Sequence, residues 1–202
     1  MTAIRLLLAL LALLGAPVQA AAQRSSAPDL RVDTHSGTPL EERGREQLLR
    51  LARQYPLEKW LFTREVRIRT GVIPHSHPVL TLNTRYLEDD HRQLATFVHE
   101  QLHWFLEARP GPTAAAVREL RGMYPEVPVG GGEGARDEHS TYLHLLVCTL
   151  ELDAASELLG EARARELLGT SGHYRWIYRQ VLTRTPQLRG VLERHGLTPG
   201  GA

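Results

Sequence analysis

An α+β fold, mainly helical with a small antiparallel sheet beside one central helix, is predicted by three features of this 202-residue chain. Six segments carry residues at helical spacing, and two short segments have strand character. No internal repeat or second apolar core divides the chain, so a single domain accounts for it.

The first 22 residues read as an export signal outside the fold. Arg5 supplies the positive start, Leu6 to Leu14 a short apolar run, and Val18-Gln19-Ala20 or Ala20-Ala21-Ala22 a small-residue cleavage site. That run is shorter than the roughly 20 residues a spanning helix needs, so the reading is a secreted or periplasmic protein without stable membrane insertion once the signal is cleaved. Residues 23–40, rich in Ser, Pro, Asp, Thr and Gly, predict a linker. The domain proper then spans 41–196, and 197–202 form a frayed tail.

Within the domain a helix is predicted from Glu41 to Tyr55, with Leu48, Leu49, Leu51 and Ala52 at helical spacing and Pro56 ending it. Val66-Arg67-Ile68-Arg69 alternates with period 2, and Val79 to Asn83 is a second strand beyond a turn-like stretch from Gly71 to Pro78. Asp89-Asp90 start the next helix, since acidic residues complement the dipole at an N-terminus. It runs to Ala108, ahead of the breaker Arg109-Pro110-Gly111-Pro112. A short helix from Ala114 to Met123 leads to Gly130-Gly131-Gly132-Glu133-Gly134, which predicts a mobile loop. Residues Asp137 to Leu159 are apolar almost all round, as in a buried helix. Two more helices are expected, from Gly160 to Leu168 and from Tyr174 to Leu182.

Composition narrows the function classes. Lys and Arg total 24 against 23 Asp and Glu, so no basic surface argues for nucleic acid. Cys148 is the sole cysteine, which excludes an internal disulfide, and its apolar surroundings suit a packed thiol.

The stretch His99-Glu100-Gln101-Leu102-His103 spells H-E-x-x-H inside the predicted helix from Asp89 to Ala108. Residues four apart lie roughly 40° apart around a helix, so both imidazoles can close on one Zn²⁺. Glu100 lies beside them, able to take a proton from water. Leu94, Val98, Leu102 and Phe105 form a separate apolar stripe, so the two histidines are not core filling. The plainer alternative is a solvated polar face.

A catalytic zinc normally has three protein ligands. On the buried helix, Ser140, His144 and Glu151 fall within about 40° of one another in projection. His144 is the first candidate for third ligand, with Glu151 as a carboxylate partner; His144 and Glu151 lie about 10 Å apart along the axis and cannot easily share one ion. Glu138, on the first turn of that helix, and Glu151 itself are the alternatives, and His139 points elsewhere. Near the C-terminus, His173 and Tyr174 are candidate donors to a developing oxyanion. Trp176 and Tyr178 read as core, and His75 and His77 as parts of a polar turn. The strand Val79 to Asn83 has the character of an edge able to pair with an extended peptide.

His99, Glu100 and His103, with Val98 before and Trp104-Phe105 after, resemble the motif of the zincin metallopeptidases. The longer combination with His144-Leu145-Leu146-Val147-Cys148 and His173-Tyr174-Arg175-Trp176 resembles exported bacterial proteins taken to be metallopeptidases. The resemblance implies a zincin-like fold, zinc on His99 and His103, and Glu100 as general base. The metzincin extension is absent, because Ala108 and Arg109 stand where its third histidine would fall. The Glu-x-x-x-Asp of thermolysin-like enzymes is absent too: Tyr142 follows Glu138 and Ala155 follows Glu151 at that spacing.

The expectation is an exported zinc hydrolase, a peptidase acting on a peptide or protein substrate. Two alternatives stand beside it: a non-enzymatic binding domain whose metal is structural or absent, and a zinc hydrolase of a non-peptide amide.

Overall fold

The computed structural model describes residues 29–200; the expected export signal, residues 23–28 of the expected linker and the last two residues of the tail lie outside the described residues. Element order is β1 (Arg31–Thr34), α1 (Pro39–Gln54), β2 (Glu65–Ile68), β3 (Leu80–Leu82), α2 (Asp90–Glu107), α3 (Pro110–Met123), α4 (Glu138–Leu159), α5 (Glu161–Gly169), α6 (Arg175–Thr183) and α7 (Thr185–Arg194). Among the described residues no helix is long and apolar enough to cross a membrane.

The sheet is small, as expected, but parallel rather than antiparallel. Its order is β1-β2-β3, with Val32 opposite Val66 and Val66 opposite Leu80. Two features account for the difference. Residues 31–34, read above as linker, form β1, and α1 supplies the long crossover that a parallel neighbour needs. Between β2 and β3 the chain retraces the strand before starting again. The return leg shows itself at His75, which exchanges backbone hydrogen bonds of 3.0 and 2.8 Å with Thr81 in antiparallel sense. The hairpin-like turn thus joins His75 to β3, not β2 to β3.

Helix α1 opens with Thr38 accepting from the Glu41 N–H at 3.3 Å and Pro39 in its first turn. It buries Gly44, Leu48, Leu51 and Ala52, one helical face, against β1, β2 and α2. A Cβ on Gly44 would stand 2.9 Å from the Ile68 side chain, so only glycine lets α1 lie this close to β2.

Helix α2 begins at Asp89, whose carboxylate accepts from the Arg92 N–H at 3.1 Å. Leu94, Phe97, Val98, Leu102, Phe105 and Leu106 bury its inner face. Gln101, inside the H-E-x-x-H stretch, ties it to the approach of β2. Its carbonyl accepts from the Phe62 and Thr63 N–H groups, each at 2.8 Å, and its amide donates to the Thr63 carbonyl. The Arg109–Pro112 stretch, expected only to break this helix, also starts α3, because proline suits a first helical turn.

Helix α4 is the hub. It is buried on nearly every side and packs against α2, α3, α5, α6 and α7. Asp137 caps it by accepting from Ser140 N–H at 2.6 Å, and Gly160, at φ +86°, ends it. Helix α7 was not foreseen; it buries Leu188, Val191 and Leu192. The tail is not frayed where it begins. Gly196 at φ +65° turns the chain, the Leu197 N–H donates to the Leu192 carbonyl at 2.8 Å, and Leu197 is fully buried. That is the Schellman arrangement of a helix end.

The Glu41 carboxylate joins three pieces of this framework by accepting from Ser36 N–H at 2.7 Å and Thr70 N–H at 3.0 Å. The Thr70 and Ser36 donors hold its pKa below the ordinary 4.5. Its stabilising effect is therefore full above that ordinary value and lost as pH falls through the lowered one. Glu41→Gln should lower the urea midpoint at pH 7, and the gap to wild type should close as the solution is acidified below about pH 4. A gap independent of pH would show that the carboxylate charge is not what ties these loops.

Candidate metal centre

Helices α2 and α4 cross so that His99, His103 and His144 meet. Ring centroids lie 5.1 Å apart for His99 and His103, 5.5 Å for His99 and His144, and 5.0 Å for His103 and His144. One nitrogen from each ring falls within 4.8 Å of the others, a group that could hold a metal ion. His99 and His144 are buried and His103 half-buried.

Hydrogen bonds orient two of the rings. The His144 Nδ1–H donates to the Ser140 carbonyl at 2.7 Å; a carbonyl only accepts, so the proton sits on Nδ1 and Nε2 keeps its lone pair. The His99 Nδ1–H donates to Glu151 Oε2 at 2.8 Å, which leaves Nε2 as the nitrogen for a metal. Tyr178 donates its hydroxyl to that same oxygen at 2.9 Å. Glu151 therefore stands behind His99, as the carboxylate partner of an imidazole does in many metal sites.

Burial, reinforced by the neighbouring imidazoles, pushes His103 down to about 2; burial and His99 push His144 down to about 3. Both are neutral at physiological pH and need shed no proton to bind a cation. Burial works against a charge on His99 as well, but Glu151 and Cys148 together outweigh it and raise that imidazole well above its ordinary value. A cation bound here would therefore displace a proton from His99.

Glu100 is buried one residue further along α2, and burial raises its carboxyl pKa while His99 and His75 lower it. Among the described residues nothing hydrogen-bonds this carboxylate. It lies with His99 and Glu151 at the floor of a cleft of about 650 Å³. Val72, Ile73 and Pro74 form one rim of that cleft, Asn83, Arg85 and Tyr86 continue it, and His173 and Tyr174 face them.

Tyr174 sits at φ +56°, the one described non-glycine residue in the left-handed region. Such backbone persists only where its surroundings hold it. Its ring packs on His144 with centroids 4.4 Å apart and stacks on His99 at 6.1 Å. The glycine loop supplies the hold. The Arg175 N–H donates to the Gly132 carbonyl at 2.9 Å and the Trp176 N–H to the Glu133 carbonyl at 3.2 Å, while Arg175 Nε reaches the Glu133 carboxylate at 2.8 Å. The loop expected to be mobile instead caps α6, which has no side-chain cap of its own.

Of the sequence candidates, the structure brings together His99, Glu100, His103, His144, Glu151, His173 and Tyr174. Glu138 is not among them: it is exposed and pairs with Arg121. His139 is exposed as well. Trp176 packs edge-on against Tyr124, as a core residue would. Tyr178 is buried but also serves Glu151, a role the sequence reading missed. Its spacing of four from Tyr174 was the available signal. His77 stacks on Trp104 at 4.1 Å and pairs with Glu107, and the Trp104 indole donates to the Ser76 carbonyl, fastening the β2–β3 connection to α2. β3 is an edge strand, but His75 already bonds it at Thr81.

A second group, His99, Cys148 and Glu151, also has ligand atoms within 4.8 Å of one another, and all three residues are buried. Burial pushes the Cys148 thiol up to about 11.

Comparison with protein-family models, with curated proteins and with solved structures gives no match for this chain. The function rests on the geometry alone.

Full burial and a raised pKa make Cys148 inert in the folded chain. A thiol reagent at pH 8 should label native protein at least about 100-fold more slowly than urea-unfolded protein. Equal rates would mean that α4 does not enclose the thiol.

Proposed function

We propose that the chain is an exported zinc-dependent peptidase, with His99, His103 and His144 as zinc ligands and Glu100 as general base. The observation that carries this reading is the convergence of three imidazoles from two helices beside a buried carboxylate on the floor of a cleft. The donor set suits the ion. Three imidazoles, with His99 giving up a proton on binding, are the protein ligands of a catalytic rather than a structural zinc site. The proposed export rests on the character of residues 1–22.

When bound, zinc supplies the positive charge that brings the pKa of water toward 7 and polarises a carbonyl. The chain's own residues do the rest. Glu100 accepts the proton of the attacking water and passes it to the departing amine, and its raised pKa brings it nearer the range where both transfers are efficient. Tyr174 donates its hydroxyl to the carbonyl oxygen as that oxygen gains charge, with His173 beside it in the same role. One such donor contributes about 3–4 kcal/mol to the barrier reduction in well-studied hydrolases. Glu151 and Tyr178 keep the His99 ring from turning.

The buried His99–Cys148–Glu151 group favours one rival, a non-enzymatic domain with an enclosed structural metal. Two variants separate the readings. Glu100→Gln should keep its zinc and lose hydrolysis of a peptide library by about 10³-fold or more, whereas His144→Ala should weaken zinc binding at least about 100-fold. Normal hydrolysis by Glu100→Gln, or unchanged zinc content in His144→Ala by atomic absorption, would overturn the assignment.

A further inference from the structure

Beyond the metal-facing floor, the cleft carries a charge that nothing in the fold neutralises. Arg85 is the one arginine or lysine among the described residues lining it. Its guanidinium makes no hydrogen bond or ion pair with any described residue; only its backbone N–H is engaged, with Asn83. Three carboxylates follow close behind in sequence, and each is committed elsewhere: Glu88 to Arg43, Asp89 to Arg92, and Asp90 to Arg50. The carboxylates inside the cleft offer no partner either. Glu151 is held by His99 and Tyr178, and Glu100 lies at the floor among the imidazoles.

Next to this unpaired cation stands an unpaired apolar group. Ile73 is 85% exposed, the most exposed large hydrophobic side chain among the described residues. Asn83 clips the two features together. Its amide donates to the Val72 carbonyl at 2.9 Å, and its carbonyl accepts the Arg85 N–H at 3.0 Å. One rim of the cleft is thereby a fixed pairing of apolar surface and positive charge.

We propose that Arg85 anchors a carboxylate of the substrate, so that the cleft selects peptides with an acidic group beside an apolar side chain. This deepens the peptidase reading and rests on it for the substrate class. The carboxylate is either an acidic side chain or the C-terminal carboxylate. Either would find a guanidinium fork suited to bidentate hydrogen bonding.

Three fluorescent peptides with one apolar core test it. The first carries Glu and an amidated end, the second Gln and a free C-terminus, and the third Gln and an amidated end. Binding to zinc-loaded Glu100→Gln protein is followed by anisotropy, and wild-type turnover of the same peptides separately. The first or second should bind about five- to ten-fold more tightly than the third, and the difference should shrink in about 0.5 M salt. Which of the two binds tighter identifies the source of the carboxylate. Arg85→Met should abolish the preference and Arg85→Lys keep part of it. Equal binding of all three peptides, or a preference that survives Arg85→Met, overturns the anchor. A preference without wild-type turnover keeps the anchor and removes the peptidase reading; turnover without preference does the reverse.

Discussion

Glu151 on α4 is buried against α2 and α6, and the rest of the site follows from the need to give that carboxylate partners. A carboxylate left alone in an apolar interior costs several kcal/mol, enough to cancel much of a domain's net stability. Here it accepts from His99 on α2 and Tyr178 on α6. One oxygen therefore joins three helices, and the same contact decides which nitrogen of His99 carries its proton. The other ring nitrogen is left for a metal shared with His103 and His144. Structural necessity and metal-binding geometry meet in one hydrogen bond.

The opposite wall is built from backbone constraint. Tyr174 and Tyr178 stand four residues apart; one serves Glu151, and the other packs on the imidazoles. Placing the Tyr174 ring there needs a left-handed residue just before α6, and the glycine loop meets the first free N–H groups of that helix with its own carbonyls. Gly134 shows how tight this corner is: a Cβ there would stand 1.9 Å from the Pro128 carbonyl oxygen. A glycine-rich sequence here means close packing, not freedom.

Where chemistry and helical period coincide, the sequence was readable. His99 and His103 share a face by spacing alone, and Ser140, His144 and Glu151 stand out as polar positions on an apolar helix. The extent of α2 followed from its acidic start and its breaker, that of α1 from helical spacing and Pro56, and that of α4 from its apolar character. The sheet was harder to read. Its direction depends on β1, which is four residues long inside a stretch with a loop-like composition, and on a connection that doubles back at His75. Neither leaves a periodic trace. Glu138 was a reasonable alternative by helix position, but projection along one helix does not reveal Arg121 on the preceding one. Gln101 and Tyr178 act through contacts distant in sequence, with Thr63 and Glu151, so their roles emerge only when the helices are packed.

The central claim is that three imidazoles, and not the buried thiol group behind them, hold one zinc ion. Zinc-edge X-ray absorption of the zinc-loaded chain tests this directly. The account predicts nitrogen and oxygen scatterers at about 2.0–2.1 Å with the outer-shell pattern of three imidazoles and no sulfur. A sulfur scatterer at about 2.3 Å would place the ion on Cys148 and contradict it, as would a chain that takes up no zinc.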